Sequence, residues 1–172
     1  MSSGLVTFET ALGRCAARWT EAGISGVRLP TRRGQPGARV EDRSDLPAFV
    51  RLAVDGMTAV MAGEHRDLRD VPLDVRGIDA FRRAVYAAAR EIEPGRTRTY
   101  GEIARAIGDP NGARDVGAAL AKNPFPIIVP CHRVVAANGA LRGFSAPGGL
   151  ETKRRMLELE GAPGYGQQVL FG

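Results

Sequence analysis

Cysteine, histidine, aromatic residues and long apolar runs are all scarce in this 172-residue chain. No stretch approaches the roughly 18 apolar residues needed to cross a bilayer, so a membrane-spanning helix is not expected. The opening MSSGLVTFET does not set a basic start before an apolar block and does not read as an export signal. Two cysteines, Cys15 and Cys131, could make one bridge at most. The expected setting is therefore the reducing cytoplasm, where a lone cysteine is a candidate for chemistry. With Cys131 set aside for chemistry, only Cys15, His65 and His132 remain as soft donors, three where a zinc site of the usual kind takes four, and no metal or other cofactor is expected. With 44% apolar and 25% charged residues, the chain has an ordinary globular composition and is not disordered throughout.

Lysine is scarcer still: Lys122 and Lys153 are the only lysines among 24 basic residues. Genome composition alone would account for that bias, so it carries no functional reading. The distribution of charge says more. Residues 1–79 hold eleven basic and eleven acidic side chains, whereas residues 80–172 hold thirteen basic and eight acidic. The whole excess of +5 lies in the second half, which suits a polyanionic partner such as nucleic acid.

Two short β-like stretches, 14–19 and 24–29, flank the turn-like Glu21-Ala22-Gly23 and read as a hairpin. Residues 30–45 are rich in Pro, Gly and Arg and read as a loop. A helix is expected next, capped by Ser44 or Asp45, with Pro47 in its first turn and Phe49, Val50, Ala53, Met57, Val60 and Met61 on one face. Residues 64–77 read as a strand or connector with Leu73 and Val75 turned inward. A boundary near Gly77 divides the chain into 1–77 and 78–172. Asp79 can cap a second helix with Phe81, Val85, Ala88 and Ile92 on one face, ended by Glu93-Pro94-Gly95. Thr99 and Glu102 have the spacing of a capping box, opening a short helix that Gly108 stops. The turn Asp109-Pro110-Asn111-Gly112 leads to a helix over 113–122. Two short helices across a tight turn in a basic region suggest a helix-turn-helix, although a plain helical hairpin has the same pattern. Residues 125–130 read as a buried strand or extended segment, Asn138-Gly139 as a turn, and 150–159 as a last amphipathic helix closed by Gly161.

Cys131 follows that apolar segment directly and precedes His132 and Arg133. A free thiol is only a few per cent thiolate at neutral pH. To attack as a nucleophile it needs a cation, a histidine or a helix N-terminus nearby. In an extended backbone neighbouring side chains point to opposite faces, so a Cys131–His132 relay needs a local turn or a bridging water. A carboxylate is needed to orient His132, and Glu158 and Glu160 both qualify.

Ile128-Val129-Pro130-Cys131-His132-Arg133-Val134-Val135 resembles the active-site signature of the O6-alkylguanine-DNA alkyltransferases. Thr99-Tyr100-Gly101-Glu102, Ala113-Arg114-Asp115-Val116-Gly117, Asn123-Pro124 and Leu157-Glu158-Leu159-Glu160-Gly161 resemble the same family in order and spacing. The resemblance is strong over residues 78–161 and weak before them, where it rests on the hairpin-then-helix order and Ala11-Leu12-Gly13. It implies direct-reversal repair of double-stranded DNA, with base flipping and one irreversible alkyl transfer to Cys131 per protein molecule. It further implies that His132 deprotonates Cys131 through a water and that Glu160 orients His132. Asn123 would stabilise the turn into the active site, and Tyr100 would lie near the phosphate and donate a proton to the departing guanine. Arg114 would fill the gap left by the extruded base, with Ala113 and Arg133 also counted among the residues contacting DNA. The Cys131 and Val134 carbonyls would accept from the guanine amino group. Ser145 would donate to O6 and Lys153 would support that loop.

Two features depart from the family pattern. Phe144 stands where many members carry tyrosine, so an apolar wall is kept and a hydroxyl lost. The loop is two residues longer at Ala146-Pro147, which bears on adduct size. Each residue also has an ordinary structural use: Tyr100 and Arg114 as helix-face residues, Asn123 as a helix stop, Glu160 at the surface, Cys15 as a core residue of the hairpin, His65 as a cap or surface group. The expected fold is α/β: a small sheet with a helix, then a mainly helical domain with the helix-turn-helix and the reactive cysteine. The chain is expected to act as a monomer. A damage sensor that binds without transfer and a cysteine hydrolase are the rival readings. The first has no need of a nucleophile, and the second needs an oxyanion hole that no motif supplies.

Overall fold

Alternating burial marks the first strand. The computed structural model describes residues 3–30, 43–142 and 148–165. Val6 and Phe8 of β1 (Gly4–Thr10) are buried between half-buried or exposed neighbours. A two-residue turn at Ala11-Leu12 leads into β2 (Gly13–Thr20), and β3 (Gly23–Arg28) follows after Glu21-Ala22. The three strands form an antiparallel meander in chain order. The expected hairpin is present as β2 and β3, and β1 is a third strand whose period-2 alternation was legible but not read as one. Within the β2–β3 pair the register slips between Arg18 and Trp19: Arg18 faces Gly26 and Trp19 faces Ile24, leaving Ser25 as an extra residue.

The helix α1 (Ala48–Met61) buries Val50, Ala53, Met57, Val60 and Met61. Pro47 occupies its N-cap and no side chain caps it, contrary to the expectation for Ser44 or Asp45. Those two residues lie three and two positions before the N-cap, in a 3-10 turn, Arg43–Asp45. Residues 64–77 form a connector. Its one bridge is Leu73 to Ile24, and Leu68 and Val71 are the residues buried, with Val75 only half-buried. The Arg90 guanidinium pins it by donating to the carbonyls of Leu68 and Val71 at 2.7 and 2.8 Å.

Asp79 caps α2 (Ala80–Arg90) by accepting from the Arg82 N–H. The buried face is Val85, Tyr86 and Ala89, a turn of the expected stripe by one position. Tyr86 is drawn inward because its hydroxyl finds the Ala119 carbonyl at 2.8 Å, which satisfies its polar tip. Ile92 is buried, but beyond the end of the helix. A two-residue strand, β4 (Arg98–Thr99), runs straight into α3 (Tyr100–Ala106), where Thr99 and Glu102 form the capping box the sequence predicts. Gly108 ends the turn after α3 with φ 81°, and α4 (Ala113–Ala121) follows across the short Asp109-to-Gly112 connection.

Residues 125–130 are not a strand. Pro124, Pro126 and Pro130 have no N–H to give a ladder, and the segment coils into turns instead, with the Val129 N–H donating to Phe125 at 2.8 Å. It is buried as expected: Phe125, Ile127, Ile128 and Val129 are all within the core. A 3-10 turn, Cys131–Arg133, continues into β5 (Val134–Val135), which pairs in parallel with β4. Gly139 closes the expected turn with φ 80°. The last helix, α5 (Gly149–Leu159), packs against the 3-10 turn and is followed by Gly161 at φ 73°.

The apolar core is continuous across Gly77: Val6, Phe8 and Met57 belong to the same buried cluster as Val85, Val116, Phe125 and Met156. No helix among the described residues is long and apolar enough to cross a membrane.

Replacing Thr99 by Ala removes the side chain that accepts the Glu102 N–H. The expected cost is about 1 kcal/mol, read as a lower urea midpoint at unchanged slope.

Candidate active site

The Cys131 thiol lies where two chain segments are forced together. The parallel β4–β5 pair sets Arg98 opposite Val134 and Thr99 opposite Val135. Tyr100 therefore begins α3 immediately beside the exit of the Cys131–Arg133 turn. The turn is closed by Arg133 N–H to the Pro130 carbonyl at 2.9 Å and by Val134 N–H to the Cys131 carbonyl. Three residues per turn fan the Cys131, His132 and Arg133 side chains in three directions, which resolves the opposite-faces difficulty of an extended strand.

His132 is fully buried, and its Nε2–H donates to Glu160 Oε1. Nδ1 is buried too and takes no hydrogen bond among the described residues. With Nε2 committed to the carboxylate, the lone pair is left on Nδ1. Burial lowers the His132 pKa below its ordinary value, with Glu160 pulling the other way. A neutral base with one free nitrogen results. Of the two carboxylates the sequence left open, Glu160 takes this place, while Glu158 sits 3.9 Å from Arg155 and is partly exposed.

Arg133 was expected among the residues contacting DNA, and the structure corrects this. It is 5% exposed and turned inward. Its Nε and Nη2 donate to Glu160 at 2.9 and 2.6 Å, and its Nη1 donates to the Ile92 carbonyl at 2.6 Å. Burial alone would raise the Glu160 carboxyl, but His132 and Arg133 outweigh it and hold the group at about 2. Nothing local in the sequence announces this brace, because its two ends lie 27 residues apart.

Asn123 works on the other side of the thiol. Its Nδ2 donates to the Val129 carbonyl at 2.8 Å, and its Oδ1 accepts from the Phe125 N–H at 2.9 Å. Burial pushes the Cys131 thiol up, opposed by hydrogen bonding from Asn123 and by the Lys153 charge. A cation or histidine nearby would be expected to lower the thiol pKa. The structure provides opposing influences whose sum is a protonated thiol, so a base must remove the proton at the moment of reaction.

Lys153 is 1% exposed, and its Nζ donates to the Val134 carbonyl at 2.6 Å, to the Arg142 carbonyl at 2.9 Å and to the Tyr100 hydroxyl at 3.3 Å. Burial lowers its pKa to about 8. The Tyr100 hydroxyl in turn donates to the Arg142 carbonyl at 2.8 Å, and burial raises its pKa. Its ring lies against Gly117, where a Cβ would stand 3.8 Å from the ring carbons. Ala113 is half-buried and Arg114 exposed in the first turn of α4. Phe144, Ser145 and the Ala146-Pro147 insertion lie outside the described residues, as does most of the expected loop over 30–45. Cys15 is a free, buried thiol of β2 raised to about 11 by desolvation, and His65 is exposed.

Residues 80–162 match a family described as 6-O-methylguanine DNA methyltransferase, DNA binding domain. The chain is 49% identical over 125 residues to a Mycobacterium bovis protein named methylated-DNA–protein-cysteine methyltransferase, covering 73% of each. It is 40% identical over 156 residues to a Methanosarcina acetivorans protein of the same name, covering 90% of this chain and 96% of that one. In three dimensions it is similar to Mycobacterium tuberculosis OGT crystallised in complex with DNA. That match has a TM-score of 0.70 and 37% identity, and covers 92% of this chain and 94% of the other.

Glu160→Gln leaves Arg133 buried without its counter-charge and should cost about 3–5 kcal/mol at neutral pH. Glu160 has a folded pKa of about 2 against an ordinary value of 4.5, so its contribution is full above pH 4.5 and disappears as pH falls through 2. Urea titrations should therefore show the gap between parent and variant closing across that window.

Proposed function

Because the chain belongs to the methylated-DNA–protein-cysteine methyltransferase family, we propose that it repairs O6-alkylguanine in double-stranded DNA by transferring the alkyl group to Cys131. The observation that carries this reading is the buried His132, its Nε2–H held by Glu160 and its Nδ1 free, next in the chain to the acceptor cysteine. A metal or cofactor is not part of the reaction so written.

The guanine O6 is inaccessible within a stacked duplex, so the nucleotide must turn out, at a cost of a few kcal/mol. Arg114, exposed in the first turn of the second helix of the helix-turn-helix, enters the space the base leaves, with Ala113 beside it. The +5 charge carried by residues 80–172 offsets phosphate charge on a bound duplex. Asn123 keeps the turn that presents Cys131 in shape. Through a water, His132 Nδ1 takes the thiol proton as Sγ attacks the alkyl carbon. The S–C bond forms as the C–O6 bond breaks, and guanine leaves as an anion that takes a proton from Tyr100. The proton gained by His132 is passed back to Tyr100 by way of the solvent, so the net products are neutral guanine and an S-alkylcysteine. Holding sulfur and carbon in line supplies much of the acceleration. A thioether has no leaving group for water to displace, so each molecule acts once.

The Cys131 and Val134 carbonyls each keep a lone pair for the guanine amino group, the other being used by the Val134 N–H and Lys153. Lys153, bonded to the Arg142 carbonyl, steadies the segment that leads to Phe144 and Ser145, and Ser145 donates to O6. O4-alkylthymine is left as a second substrate class. In this reading residues 1–77 form the supporting domain and 78–172 the DNA-binding, alkyl-accepting one, and a monomer suffices. Both cysteines are free thiols, in keeping with a cytoplasmic setting.

Intact-protein mass after mixing with a duplex carrying one O6-methylguanine should rise by a single methyl, mapped to the peptide bearing Cys131 and saturating at one per molecule. Cys131→Ser should show no increase while still binding the duplex. If the parent binds the lesion tightly and gains no mass, the protein is a damage sensor instead. Arg114→Ala should slow single-turnover transfer at least tenfold with its urea midpoint unchanged; transfer at the parent's rate would remove Arg114 from the flipping step.

A further inference from the structure

We propose that the outer edge of the N-terminal sheet is a positioning element for the acceptor cysteine, acting through one backbone donor, the Val27 N–H. The proposal deepens the alkyl-transfer reading and rests on it.

The segment between α4 and Cys131 is held under strain. Ile127 has φ 75°, the one non-glycine residue with a positive φ among the described residues, and its β-branched side chain is 1% exposed. A β-branched residue stays in the left-handed region only when its surroundings over-determine it. From within, Asn123 clamps Phe125 and Val129. From outside, the Val27 N–H donates to the Pro124 carbonyl at 2.9 Å. Pro124 lies between Asn123 and the first clamped residue, so this bond fixes the base from which the strained turn departs.

That donor faces Pro124 because of the irregularity in the sheet. Ile24 turns its N–H outward to the Pro72 carbonyl, 2.9 Å away. In a regular strand the N–H three residues later would point the other way, into β2. The extra residue Ser25, between the Trp19–Ile24 and Arg18–Gly26 pairs, reverses the alternation, and Val27 faces outward as well. Bulges beside active sites commonly re-aim a strand in this way. The sheet thus contributes no group to the chemistry and still sets where the sulfur sits.

The decisive variant replaces the Gly26–Val27 amide by an ester through semisynthesis of the full chain, which removes the N–H and keeps the side chain. Val27→Pro is its recombinant counterpart, and should it fail to fold, the ester decides. Val27→Ala keeps the N–H and serves as the conservative control. Misplacement of reacting atoms by 1 Å can cost about 100-fold. In saturating single-turnover transfer from an O6-methylguanine duplex, the ester should lower the limiting rate at least tenfold. The duplex concentration giving half that rate should stay within twofold, and Val27→Ala should match the parent on both. Labelling of Cys131 by N-ethylmaleimide, with no DNA present, should rise at least threefold in the ester as the turn loosens. An ester that transfers within twofold of the parent, or a Val27→Ala variant that falls as far as the ester, would overturn the proposal. If the parent itself transfers nothing, the alkyl-transfer reading fails, and the labelling ratio alone decides whether the Val27 N–H positions the thiol.

Discussion

A single carboxylate, Glu160, holds the functional half of the molecule together. It is 4% exposed and receives donors from both His132 and Arg133. Taking an ion pair out of water is costly, and the pair is tolerated only when every donor finds an acceptor. Each Arg133 nitrogen finds an acceptor, the remaining one at the Ile92 carbonyl. The end of α2, the turn bearing the thiol and the end of α5 are thereby joined at one point. The strong downward pull on the Glu160 pKa measures how fully its charge is compensated.

The same constraint decides the chemistry. A site dry enough to strengthen these interactions also raises the Cys131 thiol and lowers the basicity of His132. A permanent thiolate is the form such burial disfavours. A neutral histidine with one nitrogen pinned and the other free is the form it favours, and that arrangement suits proton removal at the moment of attack rather than beforehand. Lys153 sits between these extremes: buried, drawn down to about 8, and bonded to two carbonyls and the Tyr100 hydroxyl. It links α5 to the strand after the thiol and to the first residue of α3.

Geometry at the thiol is held from both sides of the Asn123-Pro124 step. The prolines that prevent residues 125–130 from joining a sheet also leave that segment without ladder bonds of its own. Its order comes from the Asn123 side chain, from burial and from the edge of β3. The N-terminal sheet therefore belongs to the active site mechanically, although its side chains take no part in the reaction.

Patterns that act over a few residues were legible in the sequence. The capping box at Thr99, the Asp79 cap, the glycine stops, the β2–β3 hairpin and the face of α1 all follow from local rules of spacing and conformation. The Cys131-His132-Arg133 run, with its upstream Asn-Pro, singled out the candidate site through its resemblance to a known family. The strand expected over 125–130 failed because apolarity reports burial, not backbone path, and the prolines were the better guide. Arg133 was assigned to DNA because a lone arginine looks the same in sequence whether it meets phosphate or a carboxylate 27 residues away. The choice between Glu158 and Glu160, the inward turn of Tyr86, the Lys153 bonds and the contact from Val27 to Pro124 were likewise decided only in three dimensions. The sequence by itself determined where the helices run and which residues carry reactive groups, since those depend on neighbours along the chain. Tertiary structure decided which charges pair and which nitrogen of His132 is left free, because desolvation acts on whatever packing brings together, however far apart in sequence.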